Sequence, residues 1–138
     1  MGGDRGPSAV VSGCAQSVRD NPRVDILLHG DKAVLEPLVA RETALAGRLT
    51  LVHAEGVVTM HDKPSHVMRH GKDTSMWSAI TALKDGTGMA AVSCGNTGAL
   101  MAVSMLQLRR MEGVNRPAIA CLWPSRGRHG FNTMLDVG

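Results

Sequence analysis

The chain has 138 residues, 43% of them hydrophobic and 20% charged, the balance of a globular domain with a core of its own, which argues against disorder. Fifteen Lys and Arg against twelve Asp and Glu leave a net charge of +3, the cations are scattered, and Trp77, Trp123 and Phe131 are the only large aromatics, which argues against a basic nucleic-acid stripe or a base-stacking platform. Cys14, Cys94 and Cys121 are odd in number and far apart, and no stretch reaches the ~18 apolar residues of a membrane span, nor does the start carry a secretory h-region, so the reading is a soluble, cytosolic chain with reduced, small buried thiols.

Pro7 suits the first turn of a helix, and Val10, Val11, Cys14, Ala15 and Val18 follow at helical spacing until Asn21-Pro22. Residues 24–28 form a short apolar strand closed by Gly30. Asp31 is an N-cap for a helix with Val34, Leu35, Leu38 and Val39 inward and a kink or restart at Pro37. Residues 49–53 read as a second strand. The polar, His-rich stretch 54–72 holds a short helix after Pro64. Thr74 caps a helix with Met76, Ala79, Ile80 and Leu83 on one face, ended by Gly86.

Met89-Ala90-Ala91-Val92-Ser93 is continuously apolar and is expected to be a buried strand. The helix after it, 97–110, is apolar nearly all round and is expected to be buried on most sides, with Arg109 and Arg110 in its last turn. Residues 118–123 and 133–137 are further strands, joined by the Gly- and Arg-rich 125–130. Strands alternating with helices imply an α/β fold around a mainly parallel sheet. The Gly-Gly start and the strand-like 135–138 look cut at both ends.

Ser93-Cys94-Gly95-Asn96-Thr97-Gly98-Ala99 lies at the strand-to-helix junction. Gly95 and Gly98 let a ligand approach the backbone, and the free N–H groups and dipole of a helix's first turn favour an anion. Ser93, Asn96 and Thr97 add hydroxyl and amide donors. Spacing leaves a second reading open, a plain turn with a left-handed Asn96 and Thr97 as cap. Gly2-Gly3-Asp4 and Lys72-Asp73-Thr74-Ser75 also precede helices. In a parallel sheet all three starts share one edge, where ligands bind, and Lys72 is a point charge for phosphate.

His66 and His70 stand four apart, with His53 and His61 nearby, but neither H-E-x-x-H nor a suitably spaced cysteine is present. These are read as solvated histidines and no metal is expected. Cys94 could act as a nucleophile, and a small buried thiol is the preferred reading. The Gly127-Arg128 loop is read as solvated, with an acidic partner as the other option.

Met1-Gly2-Gly3-Asp4-x-Gly6-Pro7, Gly30-Asp31, Val52-His53-Ala54, Lys72-Asp73-x-Ser75-Met76, Ser93-x-Gly95-Asn96-Thr97-Gly98-Ala99, Arg116-Pro117-Ala118 and Leu135-Asp136-Val137-Gly138 occur in that order. This set resembles the bacterial phosphate acyltransferases of the PlsX family along nearly the whole chain. The resemblance implies a three-layer α/β/α sandwich related to phosphotransacetylases and isopropylmalate dehydrogenases. It implies transfer of an acyl group from acyl carrier protein to inorganic phosphate, giving acyl phosphate for phospholipid synthesis. It further implies a homodimer without organic cofactor, cytoplasmic and in part peripheral at the inner membrane face.

Carried onto this sequence, the resemblance makes Lys72 and Asn96 catalytic. Gly2, Gly3, Asp4, Ser75, Ser93, Gly95, Thr97 and Gly98 would bind phosphate or acyl donor, with polar support from His53. It also implies that 1–138 is the N-terminal part of one domain, lacking a first strand and the C-terminal half and inactive alone. Cys94 departs from the small residue usual in the family, and the His-rich 61–70 from a more acidic or basic segment. Rival readings are a short-chain phosphotransacetylase or phosphotransbutyrylase using acyl-CoA, and a non-catalytic module binding phosphate or acyl donor.

Overall fold

The computed structural model describes residues 2–115 and 117–135, in two compact units, Met1–Leu108 and Arg109–Gly138. Helix α1, Gly6–Asp20, starts with Pro7 in its first turn and stops where Asn21 turns extended. Strand β1, Ile26–Gly30, pairs in parallel with β2, Leu49–His53, with Ile26 opposite Leu49 and Gly30 opposite His53. Between them runs α2, Lys32–Val39, capped by Asp31, whose carboxylate accepts the Ala33 N–H at 2.9 Å. Pro37 sits inside α2 and shortens it. A 3-10 turn at Thr43–Leu45 follows, which apolar periodicity does not reveal.

Val11, Ala15, Val18, Leu35 and Leu45 are buried together, and Ile26, Leu28, Leu49 and Leu51 pack against them. Ile26 and Leu28 alternate along β1 and stand opposite Leu49 and Leu51, so the four lie on one sheet face. His29, between them in the alternation of β1, belongs to the other face, and its Nδ1 lies 2.8 Å from Ser78 Oγ. That contact joins β1 to α4, Ser75–Lys84.

A second core gathers Val58, Val67, Met76, Ile80, Ala99 and Val103. It binds α4 to α3, Pro64–His70, and to α5, Thr97–Leu108. Thr81 Oγ1 and Gln107 Oε1, 2.9 Å apart, and the Gln107 amide donating to the Trp77 carbonyl at 3.2 Å, tie α4 to α5.

Residues 89–93 are not a buried strand. The backbone is non-regular there, Met89 is fully exposed and Val92 is 90% exposed. A strand exists only through pairing, and among the described residues β1 and β2 pair only with each other. Helix α5 also differs from expectation. It buries Ala99 and Val103 and leaves Met101, Met105, Leu106 and Leu108 exposed. It ends at Leu108 because Arg109 adopts a left-handed φ of 67°, so neither arginine lies in its last turn.

In the second unit, β3, Ala120–Pro124, and β4, Phe131–Leu135, form an antiparallel hairpin. The Ser125 N–H donates to the Gly130 carbonyl at 2.9 Å and closes its turn. Among the described residues the architecture is thus α/β, with one parallel and one antiparallel pair. The expected strand residues 136 and 137 lie outside the described residues.

Candidate functional site

Asn96 organises the start of α5. Its Oδ1 accepts the Ala99 N–H at 3.0 Å, and its carbonyl accepts the Leu100 N–H at 2.9 Å. The cap is therefore Asn96 and not Thr97. Nor is Asn96 left-handed, since Arg109 is the one non-glycine with positive φ among the described residues. The Asn96 Nδ2 faces the carbonyl oxygens of Thr59, Met60 and Asp62 at 3.2, 3.4 and 2.9 Å. One buried amide thus caps the helix and lashes down the 59–62 loop. The first-turn N–H groups of Thr97 and Gly98 lie ahead of those the cap and the helix take up, at the positive end of the dipole.

The Gly2-Gly3 turn sits against the loop before α5. A Cβ on Gly3 would lie 3.1 Å from Cys94 Cβ and 3.2 Å from the Cys94 carbonyl oxygen. A Cβ on Gly95 would lie 3.6 Å from the Gly2 carbonyl oxygen. Gly2 abuts the Val58 carbonyl with no space for any side chain. Glycine at 2 and 3 is what lets these backbones meet. The Gly6 N–H donates to the Gly3 carbonyl at 3.0 Å and leads into α1. The Ser93 hydroxyl accepts the Gly95 N–H at 3.2 Å. Asp4, Ser93 and Thr97 are exposed. Cys94 is also exposed, contrary to the buried thiol expected, because no sheet forms beneath it.

The 72–75 segment is held through Gly56. The Gly56 N–H donates to the Asp73 carbonyl at 3.1 Å, and the Ser75 N–H to the Gly56 carbonyl at 2.9 Å. Thr74 Oγ1 donates to the Gly71 carbonyl at 2.6 Å and accepts the Trp77 N–H at 3.3 Å, capping α4. Ser75 is buried, whereas Lys72 is exposed. Gly2 and Gly3 therefore meet Cys94 and Gly95 directly. The segment 72–75 joins them only through 56–58, which runs from Thr74 to Gly2. His53 stands apart from the glycine turns. Its Nδ1 accepts the Lys32 N–H at 3.3 Å, and its Nε2 is 3.9 Å from Glu55 Oε1.

Sequence reasoning did not single out His29, whose half-buried ring meets Ser78. Burial holds its pKa below the ordinary value. A histidine interrupting an apolar strand was the available signal. Nor did it find the 56–62 loop, which has no periodicity. There the hydrogen bonds of Thr59, and after them the charges of His66 and His61, hold the Asp62 carboxyl below its usual range. Burial, and then the neighbouring Cys94, pushes the Cys14 thiol up. His61, His66 and His70 are exposed, with the last two rings 4.9 Å apart. Among the described residues no three His, Cys, Asp or Glu are grouped to hold a metal ion. No helix among them is long and apolar enough to cross a membrane.

The sequence is 63% identical over its whole length to the phosphate acyltransferase of Jannaschia sp. (strain CCS1), covering 38% of that protein. It is 62% identical to the phosphate acyltransferases of Dinoroseobacter shibae and Paracoccus denitrificans, again over its whole length, covering 36% and 37% of them. The chain thus spans little more than a third of the length of these relatives. The profile of the fatty acid synthesis protein family matches residues 1–138. With a full-length profile match beside those identities, the chain belongs to the fatty acid synthesis protein family.

Proposed function

We propose that this chain is the N-terminal part of a phosphate acyltransferase. That enzyme moves an acyl group from acyl carrier protein to inorganic phosphate and makes acyl phosphate for phospholipid synthesis. The observation that carries the reading is the seating of the Gly2-Gly3 turn on Cys94-Gly95 at the head of α5. Relatives named phosphate acyltransferase, above 60% identity, support the same chemistry.

Phosphate is a poor nucleophile in bulk water and must be desolvated and oriented toward a thioester carbonyl. The N–H groups of Thr97 and Gly98 supply donors that need not reorganise, and the Gly95 N–H is held by the Ser93 hydroxyl beside them. A phosphate oxygen attacks the carbonyl carbon, the C–S bond breaks, and the carrier leaves as thiolate and takes up a proton. Lys72 adds a mobile positive charge, Gly2, Gly3, Asp4 and Ser93 shape the cleft, and the buried Ser75 supports it through the 56–58 segment. The Asn96 amide is taken up by the protein itself, so its role here is positioning. It fixes the donors of α5 relative to the 59–62 loop.

In this proposal the remaining parts of a three-layer α/β/α domain, a first strand and a C-terminal half, complete the enzyme. The whole is a cytoplasmic homodimer, in part at the inner membrane face, and uses no organic cofactor. Titration with inorganic phosphate, followed by the amide resonances of Gly95, Thr97 and Gly98, tests the cradle. Lys72→Ala should weaken binding roughly 3- to 10-fold, the worth of one exposed charge contact. Shifts elsewhere, or none, refute the assignment. Hydroxylamine trapping of acyl phosphate, with carrier-linked and CoA-linked donors compared on a full-length relative, separates this enzyme from a short-chain phosphotransacetylase and from a binding module.

A further inference from the structure

A carboxylate stands beside the head of α5, where its charge alone would repel phosphate. The Asp62 carbonyl is 2.9 Å from Asn96 Nδ2, which sets this residue against the start of the helix. The Asp62 side chain is engaged within its own loop, where Oδ2 accepts the Thr59 N–H at 2.7 Å. The Asp62 N–H in turn donates to the Thr59 carbonyl at 3.3 Å. Residues 59 and 62 are thus clasped twice, and the stronger clasp is the charged one. The hydrogen bonds of Thr59 hold the carboxyl below its usual range, so it is an ionised acceptor at neutral pH. The clasped turn presents the carbonyls of Thr59, Met60 and Asp62 together to the single Asn96 amide. Two residues on, the Pro64 ring would lie 3.3 Å from a Cβ on Gly98, so the same loop walls the first turn of α5.

We infer that Asp62 is a positioning residue of this site: its carboxylate closes the 59–62 turn, the turn holds Asn96, and Asn96 holds the head of α5. This rests on the proposed function, and it adds a residue that acts on the cradle without touching phosphate. A direct electrostatic role and a positioning role differ in sign. As a bare negative charge near an anion, Asp62 would weaken phosphate binding, and any neutral replacement would tighten it. As the acceptor that closes the turn, it is replaceable by Asn, whose carbonyl oxygen can take the same N–H, and not by Ala.

The test compares Asp62→Ala and Asp62→Asn with the parent chain, with inorganic phosphate as the probe and amide resonances as the readout. Asp62→Ala should speed exchange of the Thr59 N–H and of the Asn96 side-chain amide at least about tenfold. It should also weaken the phosphate response of Thr97 and Gly98 about threefold or more, although a repelling charge has been removed. Asp62→Asn should keep both protections and bind phosphate at least as tightly as the parent. The amides of β1 and β2 should exchange alike in all three chains, which separates positioning from general destabilisation. The inference is overturned if Asp62→Ala binds phosphate as well as the parent or better, or if its Asn96 amide stays protected. It is equally overturned if Asp62→Asn behaves like Asp62→Ala, or if β1 and β2 open with the loop. A parent chain whose Thr97 and Gly98 amides ignore phosphate counts against the proposed function, and the exchange rates then decide by themselves whether Asp62 holds Asn96.

Discussion

At the scale of single residues, Asn96 ties α5 to the 59–62 loop and His29 ties β1 to α4. Asn96→Ala removes a cap and is expected to cost about 1 kcal/mol, with more from freeing the 59–62 loop. Asn96→Asp keeps an acceptor for the Ala99 N–H but cannot donate to the carbonyls of Thr59 and Asp62. Hydrogen exchange should therefore show Ala99 protected in Asn96→Asp and unprotected in Asn96→Ala, with the 59–62 loop opened in both. His29 adds a pH dependence. Its folded pKa lies below the ordinary 6.5 because the ring is half-buried. Between that lowered value and 6.5 the unfolded chain holds more protons than the folded one, so stability rises with pH there and is lost as pH falls below 6.5. The drop in melting temperature from about pH 7.5 to about pH 5.5 should be smaller in His29→Gln than in the parent. An equal drop would show that other groups set the dependence.

Among the elements, helices with one apolar stripe behave differently from the helix that is apolar all round. Leu35 is fully buried where α2 meets α1, so Leu35→Ala should destabilise by roughly 2–5 kcal/mol in urea unfolding. Met105 lies on the exposed side of α5, and Met105→Ala should stay within about 0.5 kcal/mol. The same contrast decides what could be read in advance. Helices α1, α2 and α4 were legible because their starts and stripes are local, with Pro7 in the first turn of α1 and Asp31 and Thr74 capping α2 and α4. The two parallel strands were legible as apolar runs between turns, with β1 displaced toward Gly30. Residues 89–93 were misread because a strand pattern states only a capacity to pair, and pairing depends on a neighbour the pattern cannot name. The glycine turns and the helix start they adjoin were legible from their spacing. That Asn96 turns inward onto the 59–62 carbonyls was not, because its partners lie some 35 residues away in an aperiodic loop.

For the molecule as a whole, the units differ in how much they bury. The β3–β4 hairpin exposes nearly every residue it contains, and an isolated hairpin is marginal in water. Its amides should exchange about a hundredfold faster than those of β1 and β2, which are backed by the Leu35 and Leu45 core. Comparable protection in both pairs would mean that the second unit is stabilised by more than its own contacts.

The Gly2-Gly3 turn has a bearing on the order in which the chain becomes structured. The core around Val11, Leu35 and Leu45 draws only on residues up to Leu51, so it can form while the chain is still being synthesised. The core around Met76 and Val103 comes later by necessity. Gly3 waits longer than its neighbours, because its partner Cys94 lies some ninety residues downstream and the loop must close late. The Gly2-Gly3 turn is thus among the last parts of the first unit to settle, and its seat on Cys94-Gly95 is made only when nearly all of that unit is in place.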